Sequence, residues 1–254
     1  MNFEEYKSLN AINASFLKAC ANGEYAGFKY LHEPRTPSPA MNLGTAIHTA
    51  LLEPHLFDSQ IAVQKKVDGR TIEGKAYTKA FAETSVGKII IDEQQFEIIK
   101  KIQENAMEHQ GAKTLLGYNK EVTFQWSNEF GEMKARLDLV HPELAELADV
   151  KSADDCSPKA FIKQLIDLHY DIQFFHYHLA LQQVFQPYCF VLGCETKTGE
   201  VVVYNIDQIV YSEYTKNKYL KAMQTAILVL GMKECPKKYD QDVIALELPN
   251  WIKE

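Results

Sequence analysis

Two carboxylates and an ammonium are spaced in this chain as a cation-dependent hydrolase needs them. They are Asp138, in Leu137-Asp138-Leu139, and, after a short turn, Asp149 and Lys151 in Ala148-Asp149-Val150-Lys151. Side chains alternate along a strand, so Asp149 and Lys151 point one way while Ala148 and Val150 point the other. An acid and a base therefore reach one spot on otherwise apolar strands, where an unpaired ion is costly and is kept only if it is used or paired. Hydrolysis of a phosphodiester needs a nucleophilic water at neutral pH, neutralised charge on the nonbridging oxygens and help for the departing 3′ oxygen, all of which a divalent ion supplies. Magnesium takes oxygen ligands and keeps several waters, so Asp138, Asp149 and the backbone carbonyl of Val150 form a suitable set, with Mn2+ able to replace Mg2+. Lys151 then orients or deprotonates the water, or stabilises transition-state charge; nearby cations would lower its pKa and carboxylates raise it, so the roles stay open. The pattern is that of a metal-dependent nuclease.

These residues need a sheet to hold them. Polar and apolar residues alternate from Glu121 to Trp126 and again from Met133 to Val140, with Asn128-Glu129-Phe130-Gly131 as the turn, and Leu147 to Lys151 completes a meander. On the second strand Lys134, Arg136 and Asp138 are expected on one face, and Met133, Ala135, Leu137 and Leu139 on the other. Lys134 and Arg136 are thereby candidates for positioning phosphate. Before the meander, Asn13 or Ser15 can cap a first helix, residues 32–39 form a loop with three prolines, and 40–52 has helical periodicity ending before Pro54. Gly44 and His48 lie one turn apart on that helix. Residues 63–87 sustain no apolar period and read as a basic loop in which Arg70, Lys75 and Lys79 can meet phosphate; 92–109 is helical again. After the meander, Ser157-Pro158 opens a helix. A second, about 171–185, carries Gln173, Tyr177 and Leu181 on one stripe. Strands at 189–195 and 201–206 follow, then a helix from about 207 to 230. This order predicts an α/β fold, a mixed central sheet flanked by helices, in one domain spanning 1–254 with its core at about 40–210.

Composition bounds the function. At 254 residues, 46% hydrophobic, the chain can bury one sizeable core. No apolar run is long enough for a membrane span, and the start, Met1-Asn2-Phe3-Glu4-Glu5, lacks the pattern of a secretory signal; a soluble, cytoplasmic protein is expected. The five cysteines form no CxxC pair that would hold zinc or an iron–sulfur cluster. A net charge of −7 argues against nonspecific grip on nucleic acid, which needs many cationic contacts, so any DNA contact must be local and metal-assisted.

Asp138 followed by Asp149-Val150-Lys151 matches the PD-(D/E)xK nuclease motif, and the surrounding stretches resemble the RecE-type (exonuclease eight) phage and prophage exonucleases. They are residues 43–48 with Glu53-Pro54, Gly69-Arg70-Thr71 with Gly74-Lys75, 134–138, 148–152, and Tyr170-Asp171-Ile172-Gln173 with Tyr177. Leu137 stands where the motif name has proline. The resemblance implies a restriction-endonuclease-like core in which His48 ligates metal beside Asp138 and Asp149. It also implies that Lys151 is the catalytic lysine, that Gln173 and Tyr177 line the site near DNA, and that Glu121 serves a second metal. It implies, further, exonucleolytic digestion of one strand of linear double-stranded DNA, 5′ to 3′, leaving 3′ overhangs for recombination. A homo-oligomeric ring, a single-strand annealing partner and the cytoplasm of a bacterial host belong to the same expectation. An endonuclease or helicase-attached nuclease of the same fold, and an inactive DNA-end-binding module, are the rival readings. Taken singly, Asp149 and Lys151 would be a surface ion pair, His48 a core histidine and the Gln173/Tyr177 pair mere packing.

Overall fold

An Asn side chain starts the ordered core: Asn13 Oδ1 accepts a hydrogen bond from the Phe16 N–H (2.8 Å) and caps α2 (Ala14–Cys20). The computed structural model describes residues 3–181 and 186–239; the end of the helix expected to reach 185, and the tail from 240 onward, lie outside the described residues. Before α2 lies α1 (Phe3–Ser8), and after it come α3 (Glu24–His32), α4 (Pro39–Leu52) and the short α5 (Phe57–Gln60). A parallel pair, β1 (Ile61–Gln64) and β2 (Ile89–Asp92), brackets α6 (Ile72–Thr84) and leads into α7 (Glu93–Glu108) and α8 (Gln110–Leu116).

The main sheet has the order β3-β4-β5-β6-β7. Its strands are β3 (Asn119–Asn128), β4 (Gly131–His141), β5 (Glu146–Ala153), β6 (Tyr188–Glu195) and β7 (Val201–Asn205), all antiparallel to their neighbours except β5 with β6. The β3–β4 turn closes with Asn128 opposite Gly131, whose φ of 117° suits glycine. A parallel pair needs a long crossover, here α9 (Pro158–Asp167) and α10 (Tyr170–Leu181). The chain then continues through α11 (Asp207–Val210) and α12 (Glu213–Gly231).

Each face of the sheet has its own core. Leu139, Ala148, Val150, Leu192 and Cys194 pack against Ile47, Ala50, Ile99 and Ile102 of α4 and α7. Ala135, Leu137, Val140, Leu147 and Val191 pack against Phe161, Leu165, Phe174 and Leu181 of α9 and α10. A third cluster joins Ile12, Phe16 and Leu17 to Met133, Ile172, Tyr219 and Met223. The mixed helix-flanked sheet is as expected. Three expectations fail. The single helix expected from about 207 to 230 is two, α11 and α12, parted at residues 211–212. Residues 72–84 are a helix, not a loop: Thr71 Oγ1 caps it through the Gly74 N–H (2.9 Å), and only Gly74 is buried, so no apolar stripe was available to read. A Cβ at Gly74 would lie 2.0 Å from the Asp68 carbonyl oxygen, so glycine there lets the preceding turn close. Leu137 and Leu139 do not share a core either; the alternation of β4 breaks at Asp138.

One imidazole, that of His176, lies deep in an apolar part of the core. His176, fully buried, has Nε2 3.1 Å from the Lys134 carbonyl and Nδ1 3.0 Å from the Tyr219 hydroxyl, so the neutral ring donates from Nε2 and accepts at Nδ1. Burial pushes its pKa down to about 4, against a smaller upward pull from the Lys134 carbonyl. The unfolded chain then binds more protons between its ordinary 6.5 and 4, so stability falls with pH through that window. This group alone is expected to remove about 2 kcal/mol between pH 7.5 and 5.0. Urea unfolding of wild type and His176→Gln at both pH values tests it; an equal acid loss in both proteins would refute the assignment.

Candidate active site

Where β4 and β5 part, a carboxylate takes over from the backbone. Their ladder runs from His141↔Glu146 only to Leu139↔Ala148, and beyond it Asp138 Oδ2 accepts the hydrogen bond of the Val150 N–H (2.9 Å). Asp138 thereby satisfies a backbone donor that the departing strand no longer reaches. A residue's N–H and C=O point to the same edge of a strand, so the Val150 carbonyl faces the same gap. Opposite, Glu121 has φ of 56°, a left-handed backbone uncommon for a side-chain-bearing residue.

Three elements converge on the gap. From α4, His48 Nε2 lies 3.1 Å from Asp138 Oδ2 and 3.3 Å from Glu121 Oε1. Ligand atoms of His48, Glu121 and Asp138 all lie within 4.8 Å of one another. From β5, the Lys151 ammonium pairs with Asp149 Oδ2, and from α10, Gln173 Nε2 donates to Asp149 Oδ1 (2.8 Å) and to the Tyr177 hydroxyl (2.8 Å). The sequence-derived residues His48, Glu121, Asp138, Asp149, Val150, Lys151, Gln173 and Tyr177 therefore meet in one place.

The electrostatics follow from this crowding. Burial pushes the His48 imidazole down, yet the bonded Asp138 carboxylate and Glu121 outweigh it and hold the pKa at about 9. Burial and the charge of Asp138 lift Asp149 to about 6, against Lys151. Burial would lower Lys151, but Asp149 and Asp138 raise it above its ordinary value, so it is a firm ammonium and no ready base. Glu121 Oε1 and Asp149 Oδ2 are buried without a well-directed hydrogen-bond donor. Carboxylate oxygens that face cationic groups, Glu121 Oε1 against His48 and Asp149 Oδ2 against Lys151, fit a divalent cation: an oxygen-rich set with one imidazole.

The expected DNA contacts fare differently. Lys134 is buried and its ammonium donates to the carbonyls of Tyr6 (3.0 Å), Lys7 (3.2 Å) and Leu9 (2.7 Å), so it anchors the amino-terminal segment instead of facing phosphate. Arg136 pairs with Glu121 and lies 5.5 Å from the Phe3 ring, at the rim of the site. Arg70 is highly exposed and paired with Asp68 (3.2 Å), and Lys75 is exposed on α6; no contact among the described residues joins either to the carboxylates.

Sequence reasoning missed Lys18 and Tyr170. Lys18 Nζ donates to Gln173 Oε1 (3.2 Å), and the Lys18 and Lys151 ammonium groups lie 5.1 and 4.7 Å from the Tyr170 ring centroid. Burial, then Lys151, lowers the Lys18 pKa to about 8. A single cation within the apolar run Phe16-Leu17-Lys18-Ala19-Cys20 was the available signal.

A family model described as a PDDEXK-like domain of unknown function (DUF3799) matches residues 5–238. The chain belongs to this PDDEXK-like family. No curated protein matches it. Among solved structures, an exonuclease from Eubacterium rectale, so assigned only provisionally, is similar with a TM-score of 0.66 at 16% identity, over 100% of this chain and 97% of that one. A phage-related exonuclease from Haemophilus somnus is matched with a TM-score of 0.38 at 12% identity, over 86% and 92% of the two chains. The first likeness, at 16% identity, speaks for the fold alone.

Proposed function

We propose that this PDDEXK-like protein is a divalent-metal-dependent exodeoxyribonuclease that digests one strand of linear duplex DNA. The observation that carries the reading is the His48, Glu121, Asp138 donor cluster beside Asp149, Lys151 and Gln173. When bound, a magnesium ion supplies an activated water and neutralises phosphate charge. His48, Glu121, Asp138, Asp149 and the Val150 carbonyl would hold it. Lys151 presents a fixed positive charge to the phosphate, because Asp149 and the Tyr170 ring locate its ammonium. Gln173 locks Asp149 with one amide hydrogen and holds Tyr177 with the other. Tyr177 keeps its proton, since burial and the nearby carboxylates raise its pKa well above 10.

The direction, 5′ to 3′ with a 3′ overhang, the homo-oligomeric ring and a single-strand annealing partner rest on the RecE-type resemblance. A ring would retain the strand by topology, which suits a chain of net charge −7. Among the described residues no helix is long and apolar enough to cross a membrane. Strand-specific end-labelled linear duplex with and without magnesium is the test: the expected result is metal-dependent loss of one strand from its 5′ end. Equal rates on closed circular duplex would replace the exonuclease by an endonuclease; no cleavage with any divalent ion would favour an inactive end-binding module.

A further inference from the structure

Beyond Lys151 the strand runs into a cleft that, Tyr170 apart, the site residues above do not line. It has a volume of about 680 Å³, within the roughly 300–1,000 Å³ of small-molecule pockets. Its walls are Met41, Leu43 and Gly44 of α4, Ser152 at the end of β5, Gln164 of α9 and Tyr170. A Cβ at position 44 would lie 3.0 Å from Ser152 Oγ, so glycine leaves this corner open. Tyr170 is shared, since its ring is one wall of the cleft and also lies 4.7 Å from the catalytic ammonium. Whatever fills the cleft therefore abuts the position of the scissile phosphate.

The charge pattern says what kind of group that is. The ionic residues of the rim neutralise one another: Lys163 pairs with Asp167, and Lys197 lies 3.5 Å from Asp154. Gln164 Nε2 donates to the Ser152 carbonyl (2.9 Å), while Ser152 Oγ and Gln164 Oε1 have no hydrogen-bond partner among the described residues. Apolar walls, neutral charge and two uncommitted polar atoms suit an uncharged flat group that carries donors and acceptors. A phosphate would find no net positive charge there. Met41 and Leu168 are exposed at 54% and 49%, apolar surface left open at a polar site.

We propose that this cleft receives the base of the nucleotide next to the scissile phosphate. The inference rests on the nuclease reading and adds that this base is unpaired when its strand is cut, because its edge faces Ser152 and Gln164 instead of a partner strand.

The experiment places one abasic residue within the digested strand of a linear duplex and follows single-turnover cleavage bond by bond in magnesium. Wild type is expected to slow about 5- to 100-fold at the bond beside the abasic residue, the range for losing one base contact. Ala160→Phe, which fills the cleft from α9, is expected to slow intact DNA by a similar factor and to ignore the abasic residue. Met41→Ala gives a second, milder variant if Ala160→Phe does not fold. In parallel, a single-stranded oligonucleotide carrying 2-aminopurine is titrated in chelator, where no cleavage occurs; its fluorescence is expected to change with wild type and not with the filled cleft. Uniform cleavage through the abasic residue, or an identical fluorescence response in both proteins, overturns the inference. If no DNA is digested but the fluorescence response depends on the open cleft, the base site stands and the nuclease reading falls.

Discussion

Lys151→Ala is expected to lower the single-turnover rate of strand cleavage by about 10²- to 10⁴-fold while the protein stays folded. Among the described residues the ammonium is the one cation paired directly with Asp149, and the carboxylates around it raise its pKa and favour its charged form. On the proposed function, removing it takes away a preorganised charge at the reacting phosphate, whose effect is large in a site shielded from water. The scaffold persists because Gln173 still donates to Asp149 and the Asp138 bond to the Val150 N–H is untouched. Circular dichroism and DNA binding in chelator should both resemble wild type. Asp149→Ala is expected to be at least as damaging, since it removes the carboxylate whose two oxygens are held by Gln173 and Lys151. Residual cleavage above a tenth of the wild-type rate in Lys151→Ala would remove this lysine from the chemistry.

The largest expected loss of stability is at Asp171→Ala, about 3–5 kcal/mol. Asp171 is fully buried, and both its oxygens accept from Lys218 Nζ of α12 (2.9 and 2.8 Å). Lys218 also donates to the Ile166 carbonyl near the end of α9 (3.1 Å), so one ammonium joins α9, α10 and α12. Truncating the acid strands that ammonium in the interior. For a chain of this length the loss corresponds to roughly 6–20 °C in Tm. The double variant Asp171→Ala/Lys218→Met should recover much of it, because no orphaned charge is left. A fall below about 1 kcal/mol in Asp171→Ala, measured by urea unfolding, would mean that the pair is hydrated in solution.

The same geometry explains what the sequence made legible. Asp138, Asp149 and Lys151 were readable because strand alternation and one short turn suffice to bring them together, and His48 and Gln173 were readable through their place in a resemblance. Lys18 was not, because its approach to Gln173 depends on packing between α2 and α10, which are 155 residues apart at that contact. Lys134 was misread because alternation assigns a face and says nothing of whether another segment covers it. The helix α6 was missed because it buries almost nothing, so its cap at Thr71 was the only local mark. The small strands β1 and β2, only four residues each, were too short to show a period. Leu139 was assigned to the wrong core because the twist at Asp138 is a property of the strand pair, not of β4 alone.

The anchoring of the amino-terminal segment by Lys134 also sets an order of assembly. Its three carbonyls lie 125 to 128 residues before the lysine in the chain, and the cluster around Ile12 and Leu17 takes in Tyr219 and Met223 as well as Met133 and Ile172. Contacts of such separation form late, since loop closure must precede them. The segment that carries α1 and α2 is therefore among the last to dock. Until α12 is in place, α2 lacks part of the cluster that holds it, so Lys18 reaches Gln173 late and the candidate site is completed by the last contacts to form.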